Sequence, residues 1–183
     1  MRTRIAVLSA LALAGCDLTA TAEADRICIT EPTSQTISGV PPGGGDVSIT
    51  VPVDISLDVS AAVPDPDERG VTSELVAQSI TVTTAENVDL SGVESMELTV
   101  TAAGRPPIAF SYARPAGAVA PIVSIAATPD TRVNLVDYLD GARRVHVSSI
   151  ALSGRPPASA WTPTLRTCAS LEVKVDYFEA AGR

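Results

Sequence analysis

His146 is the only histidine in the 183-residue chain, so any serine or cysteine nucleophile activated by an imidazole has to use that one ring. It lies in a strand-like stretch, and no Gly-x-Ser-x-Gly elbow occurs in the sequence. A mid-strand histidine of this kind is expected to be structural, and no catalytic residue is assigned. The cysteines are Cys16, Cys28 and Cys168; Cys28 and Cys168 are expected to be oxidised, as argued below, and with one histidine these two cannot fill a tetrahedral zinc site without several carboxylates. The acidic loop Asp65-Pro66-Asp67-Glu68-Arg69-Gly70 opens like an EF-hand, with Asp65, Asp67 and Gly70 in the first, third and sixth places. Arg69 then holds the fifth place and Val76 the twelfth, where ligands are needed. Asp65 and Asp67 are left as candidates for a looser calcium site, and the expectation is no metal and no cofactor. Gly43-Gly44-Gly45 lacks the lysine and helix of a phosphate-cradling loop. Carboxylates on separate strands can meet as an acid/base pair, but no spacing singles one out.

The bulk composition excludes further classes. Hydrophobic residues make up 45% and charged residues 19% of the chain, which is the balance of a folded protein with a real core. The net charge is −8, with 13 Lys and Arg against 21 Asp and Glu, so binding by phosphate neutralisation is not expected and nucleic acid is excluded as a partner. Aromatic residues at 3% leave little for a stacking platform.

The elements that carry these residues read as strands. From Asp46 to Ser60 every odd position is apolar (Val47, Ile49, Val51, Val53, Ile55, Leu57, Val59), while the even ones are Asp, Ser, Thr or Pro. Only a period of two puts such a set on one face. Pro52 cannot donate to a ladder and marks an edge, a bulge or a break. Further strands are predicted at 75–84, 95–103, 108–113, 119–126, 143–152 and 165–178, and the residues around Cys28 alternate in the same way. Pro- and Gly-rich clusters punctuate them. Two helical turns are predicted, 90–94 capped by Asp89 and 135–139 capped by Asn134. The expected fold is all-β, an antiparallel β-sandwich of immunoglobulin-like or jelly-roll plan. Gly104-Arg105-Pro106-Pro107 recurs as Gly154-Arg155-Pro156-Pro157, each copy after a strand, which hints at an internal repeat.

At the N-terminus, Arg2 and Arg4 precede the short apolar run 5–14, too short to span a bilayer and of the length of a signal h-region. The run ends in Leu13-Ala14-Gly15-Cys16, which resembles the lipobox of bacterial lipoproteins. The resemblance implies a signal peptide at 1–15, cleavage before Cys16, a diacylglyceryl thioether on its sulfur and an acyl chain, of the palmitate type, on its new amino group. Two or more acyl chains hold a protein on a membrane where one is marginal. Removing 1–15 takes two Arg and no acid, so −8 becomes −10 and no polybasic patch assists the anchor. Residues 16–25 are then the lipidated cysteine and a small, polar tether, and 26–183 form one domain.

With Cys16 taken up by lipid, Cys28 and Cys168 remain. Export places them in an oxidising compartment, where they are expected to form a disulfide. Alternation puts both on the polar face of their strands, which favours a surface bridge between neighbouring strands and requires the first and last strands to lie side by side. The expected function is a non-enzymatic binding, assembly or structural module of the bacterial cell envelope. Its expected partners are the inner or outer membrane, through the lipid, and an envelope protein. The alternatives are a carboxylate-based hydrolase and a calcium-stabilised adhesion module.

Overall fold

A computed structural model of the chain describes residues 19–40, 45–61, 63, 70–84 and 87–176. The sequence predicts alternating, β-branched segments, and these are strands: β1 (Thr19–Pro32), β2 (Val47–Asp58), β3 (Val71–Thr84), β4 (Val93–Thr101), β5 (Ile108–Ala113), β6 (Ser124–Pro129), β7 (Arg144–Gly154) and β8 (Pro163–Asp176). All pairings are antiparallel, in the order β1-β8-β3-β6-β5-β4-β7-β2. The sheet curls on itself to make an all-β sandwich. β6 is where it folds over: Ser124 to Ala127 pair with β3, while Thr128 and Pro129 pair with β5. The two end strands, β1 and β2, come into contact and nearly close the curl.

Inward side chains of the two layers interdigitate. Leu75, Ile80, Val82, Ile125, Leu165 and Ala169 come from one layer, and Ile55, Leu57, Met96, Leu98, Phe110, Val145, Val147 and Ile150 from the other, all buried. Trp161, only 1% exposed, is the largest of the fully buried side chains and is held by a two-way backbone bridge to Ile37. Replacing a buried aromatic of this size with Ala costs about 3–5 kcal/mol.

Pro52 lies on an end strand, at a register shift between Pro52 and Ile55. Gln35 caps the irregularity: its side-chain amide donates to the Pro52 carbonyl at 2.7 Å and accepts from the Asp54 N–H at 3.3 Å. The predicted cap at Asn134 is present, over a 3-10 turn (Leu135–Tyr138). Its Oδ1 accepts from Val136 N at 3.1 Å and from Leu75 N at 2.9 Å, tying the turn to β3.

Three expectations need correcting. The segment 90–94 is not helical. The Asp89 carboxylate accepts from the backbone N–H groups of Ser91 and Ile122 instead of capping a helix, and β4 starts at Val93. The strand expected at 119–126 starts only at Ser124, after a segment containing the Ala120–Pro121 bond, whose proline has no N–H to give a ladder. The expected tether is already strand from Thr19 onward, because Thr19 to Ala24 pair with β8 from Asp176 to Leu171. The two Gly-Arg-Pro-Pro segments follow β4 and β7, which are antiparallel neighbours, so they close opposite ends of the sandwich. Both open on a positive-φ glycine, Gly104 at 73° and Gly154 at 100°.

Candidate functional site

Among the described residues, two places concentrate chemistry-bearing side chains. The first is a row on the outer face of β2 and β7. His146 and Ser56 are directly paired across the two strands. Ser56 Oγ lies 3.0 Å from His146 Nδ1, and Asp140 Oδ2 lies 2.9 Å from Nε2. Asp140 belongs to a tight turn that feeds β7. Its other oxygen accepts from Ala142 N at 2.8 Å and Arg144 N at 2.9 Å, and Arg143 takes a left-handed backbone, φ 58°. Hydrogen bonding to His146, then to Arg144, holds the Asp140 carboxyl below its usual range. An ionised carboxylate only accepts, so a neutral His146 ring carries its proton on Nε2 and offers Nδ1 to the Ser56 hydroxyl.

Serine, imidazole and carboxylate are thus in line, but with the ring nitrogens exchanged relative to the serine-hydrolase arrangement, in which serine meets Nε2 and the carboxylate meets Nδ1. The Asp140 and His146 side chains are about one-third exposed, and no member of the row lines either the acidic cleft on β1, β8 and β3 or the small apolar one beside Ile27 and Leu75. What the row does is fasten end strand β2 to β7 and to the turn before it. Nothing in the sequence singles out Ser56 or Asp140. The alternation places Ser56 on the outer face of its strand, but its pairing with His146 depends on a register that the sequence does not carry.

The second place is the outer face of β1, β8 and β3. An open cleft of about 170 Å³ is bordered by Glu23, Asp25, Glu74 and Glu172, with Arg132 and Ser170. Two of the four acids are engaged: Arg132 meets Glu74 and Lys174 meets Glu172, each at 2.6 Å. The bond to Glu172 holds the Lys174 ammonium above its usual range. Among the described residues, no three of His, Cys, Asp and Glu are grouped to hold a metal.

Beside this cleft, Cys28 and Cys168 form a disulfide with Cα atoms 4.2 Å apart. They are direct register partners on β1 and β8, so the first and last strands are neighbours, as the pairing requires. The bridge is less of a surface feature than alternation implies. Cys28 is half-buried, but Cys168 is 1% exposed, because β8 is flanked on both sides by β1 and β3 and Arg26 reaches over its sulfur. Cys16, the segment 1–15, Asp65 and Asp67 lie outside the described residues.

No family model and no curated protein matches the chain. Among solved structures it is similar to the crystal structure of decameric BFDV capsid protein, with a TM-score of 0.39 and 12% identity over 81% of this chain and 97% of that one. It is also similar to the crystal structure of the 60-mer BFDV capsid protein, with a TM-score of 0.31 and 15% identity over 87% of this chain and 94% of that one. At these values the likeness carries no function to this chain.

Proposed function

We propose that this protein is a lipid-anchored component of the bacterial cell envelope, its β-sandwich acting as a non-enzymatic binding, assembly or structural module. The Cys28–Cys168 disulfide is the observation that carries this reading. Such bonds persist in exported proteins and are rare in the cytosol, which agrees with the signal-like segment and lipobox-like Leu13-Ala14-Gly15-Cys16. The bond also suits an anchored chain mechanically. β1, the strand nearest in sequence to Cys16, is an end strand, and the bridge joins it covalently to β8, which is paired on both sides. A pull on the lipid is met by a covalent bond as well as by a ladder of hydrogen bonds.

Cys16 precedes the first strand residue, Thr19, by three positions, a distance of at most about 10 Å in extended chain. The sandwich would therefore ride close against the bilayer surface. The module is read as non-enzymatic because the single imidazole is spent on an open strand face. The test is Cys16→Ser in cells. The parent protein is expected to partition with membranes and with detergent, and the variant to stay unprocessed or leave the membrane fraction. Normal processing with retention on membranes would overturn the anchor.

A further inference from the structure

The disulfide sits in a frame of two strand irregularities. β1 shifts register between Ala24 and Ile27, which leaves Asp25 and Arg26 outside its ladder with β8. β3 shifts between Ala77 and Ser79, on the other side of β8, which leaves Gln78 out. The two bulges are tied over β8, where the Gln78 side-chain amide donates to the Asp25 carbonyl at 2.9 Å. Bulges re-aim side chains, and this one brings the Arg26 guanidinium to 3.7 Å from Cys168 Sγ. The two sulfurs thus have different surroundings. Cys168 is 1% exposed and has the cation; Cys28 is half-buried on an end strand, with no strand among the described residues bonded to its other side.

We propose that this bond is a one-way thiol-exchange site, in which a small-molecule thiolate adds to Cys28 and Cys168 departs as a thiolate against Arg26. The groups involved all lie among the described residues, and the exchange is the same whether or not Cys16 carries lipid. Thiolate attack on a disulfide is in line with the S–S axis. Cys28 is half-buried on end strand β1, whereas Cys168 is 1% exposed between β1 and β3, where Ser79 is its register partner. Access therefore selects Cys28. The electron pair of the new bond comes from the entering sulfur, and the pair of the broken S–S bond stays on Cys168, so no proton or external oxidant is needed. Burial disfavours a thiolate on Cys168, and the guanidinium beside it opposes that cost. Cys28 becomes a mixed disulfide. β1 then keeps its hydrogen bonds to β8 but loses the covalent one.

The test uses the oxidised full-length protein and 2-mercaptoethanol, with acid quenching, N-ethylmaleimide capping and peptide mapping. The mercaptoethanol adduct is expected on Cys28 and the maleimide on Cys168, by about tenfold over the reverse pattern. Arg26→Gln is expected to slow the exchange about threefold through the poorer leaving group, and Arg26→Lys to restore most of it. The difference in rate between the parent chain and Arg26→Gln should shrink as salt is added, which a merely structural role for Arg26 would not produce. Adducts divided equally between the sulfurs, or found mainly on Cys168, overturn the direction. An unchanged or faster rate in Arg26→Gln overturns the role of Arg26. Arg26 is exposed and outside the ladder, and the partition in the parent chain is decisive even without the variants.

Discussion

Asp140 carries more of the outer face than its exposure implies. One oxygen closes the turn on Ala142 and Arg144, and the other orients His146, which reaches Ser56 on the end strand. The carboxylate is what accepts all three donors, and its proton affinity is lowered, chiefly by His146. A lowered carboxyl contributes stability above the unfolded value, near 3.9, and that contribution is lost as pH falls through the folded value. Urea midpoints measured from neutral pH down to about pH 2 should therefore fall less steeply for Asp140→Asn than for the parent. The slope should shrink without vanishing, because Asp58, bonded to Ser60, and Asp89, bonded to Ile122 and Ser91, shift the same way. Parallel profiles for the two proteins would show that Asp140 titrates alike folded and unfolded. At this scale the sequence is uneven. Cys28 and Cys168 are legible as a pair because the lipobox resemblance claims Cys16 and implies export, and under that expectation an even count leaves one choice. The row at His146 is not, because Asp140 arrives through a turn and Ser56 through a strand pairing that shifts register at Pro52.

At the scale of elements, period-two alternation marks β2 and most of β8 because one face is buried and a one-residue slip would expose it. It is silent for the start of β1. Thr19 to Asp25 alternate between small and polar residues and stay mostly exposed, so their strand state comes from the β8 ladder and not from burial. Asp89 was ambiguous for a different reason: a carboxylate before Leu90 serves a helix cap and an Asx turn equally well, and the distant Ile122 N–H decided for the turn. The two Gly-Arg-Pro-Pro segments are the sharpest case of identical sequence in unlike surroundings. Both glycines need a positive φ. A Cβ on Gly104 would meet nothing within 4 Å, whereas on Gly154 it would lie 2.6 Å from the Gly92 carbonyl oxygen and 2.8 Å from Glu94 N. Gly104→Ala should therefore cost only the backbone penalty, about 1 kcal/mol. Gly154→Ala adds a clash with two backbone atoms of β4 and its turn, and should cost more than about 2 kcal/mol. Equal losses in chemical denaturation would contradict the close packing of β7 against residues 92–94.

At the scale of the molecule, the order of strands makes the first and last strands a single structural unit, since β1 lies against β8 along nearly its whole length. The disulfide closes this unit over 140 residues of sequence. In the chain-entropy description such a closure is worth up to about 5 kcal/mol, acting mainly on the unfolded chain, and engineered and natural cases often give less. The folded state should hardly notice the loss of the bond. Cys28 and Cys168 remain register partners, the ladder continues from Ile29 to Pro32 on one side and resumes from Ala24 to Thr19 past the register shift on the other, and the buried core of Trp161, Phe110 and the facing aliphatic residues does not depend on the sulfur atoms. Reduction should therefore leave the far-ultraviolet circular dichroism of the folded protein unchanged and lower Tm by about 5–15 °C, the unfolding staying a single cooperative step. Cys28→Ala/Cys168→Ala should reproduce the shift without any reductant. A Tm that does not move would mean that the unfolded chain keeps its ends together without the bond. A reduced protein that loses its strand signal at room temperature would mean that β1 is held by the cross-link and not by its ladder, and would move the source of stability from the unfolded state to the native one.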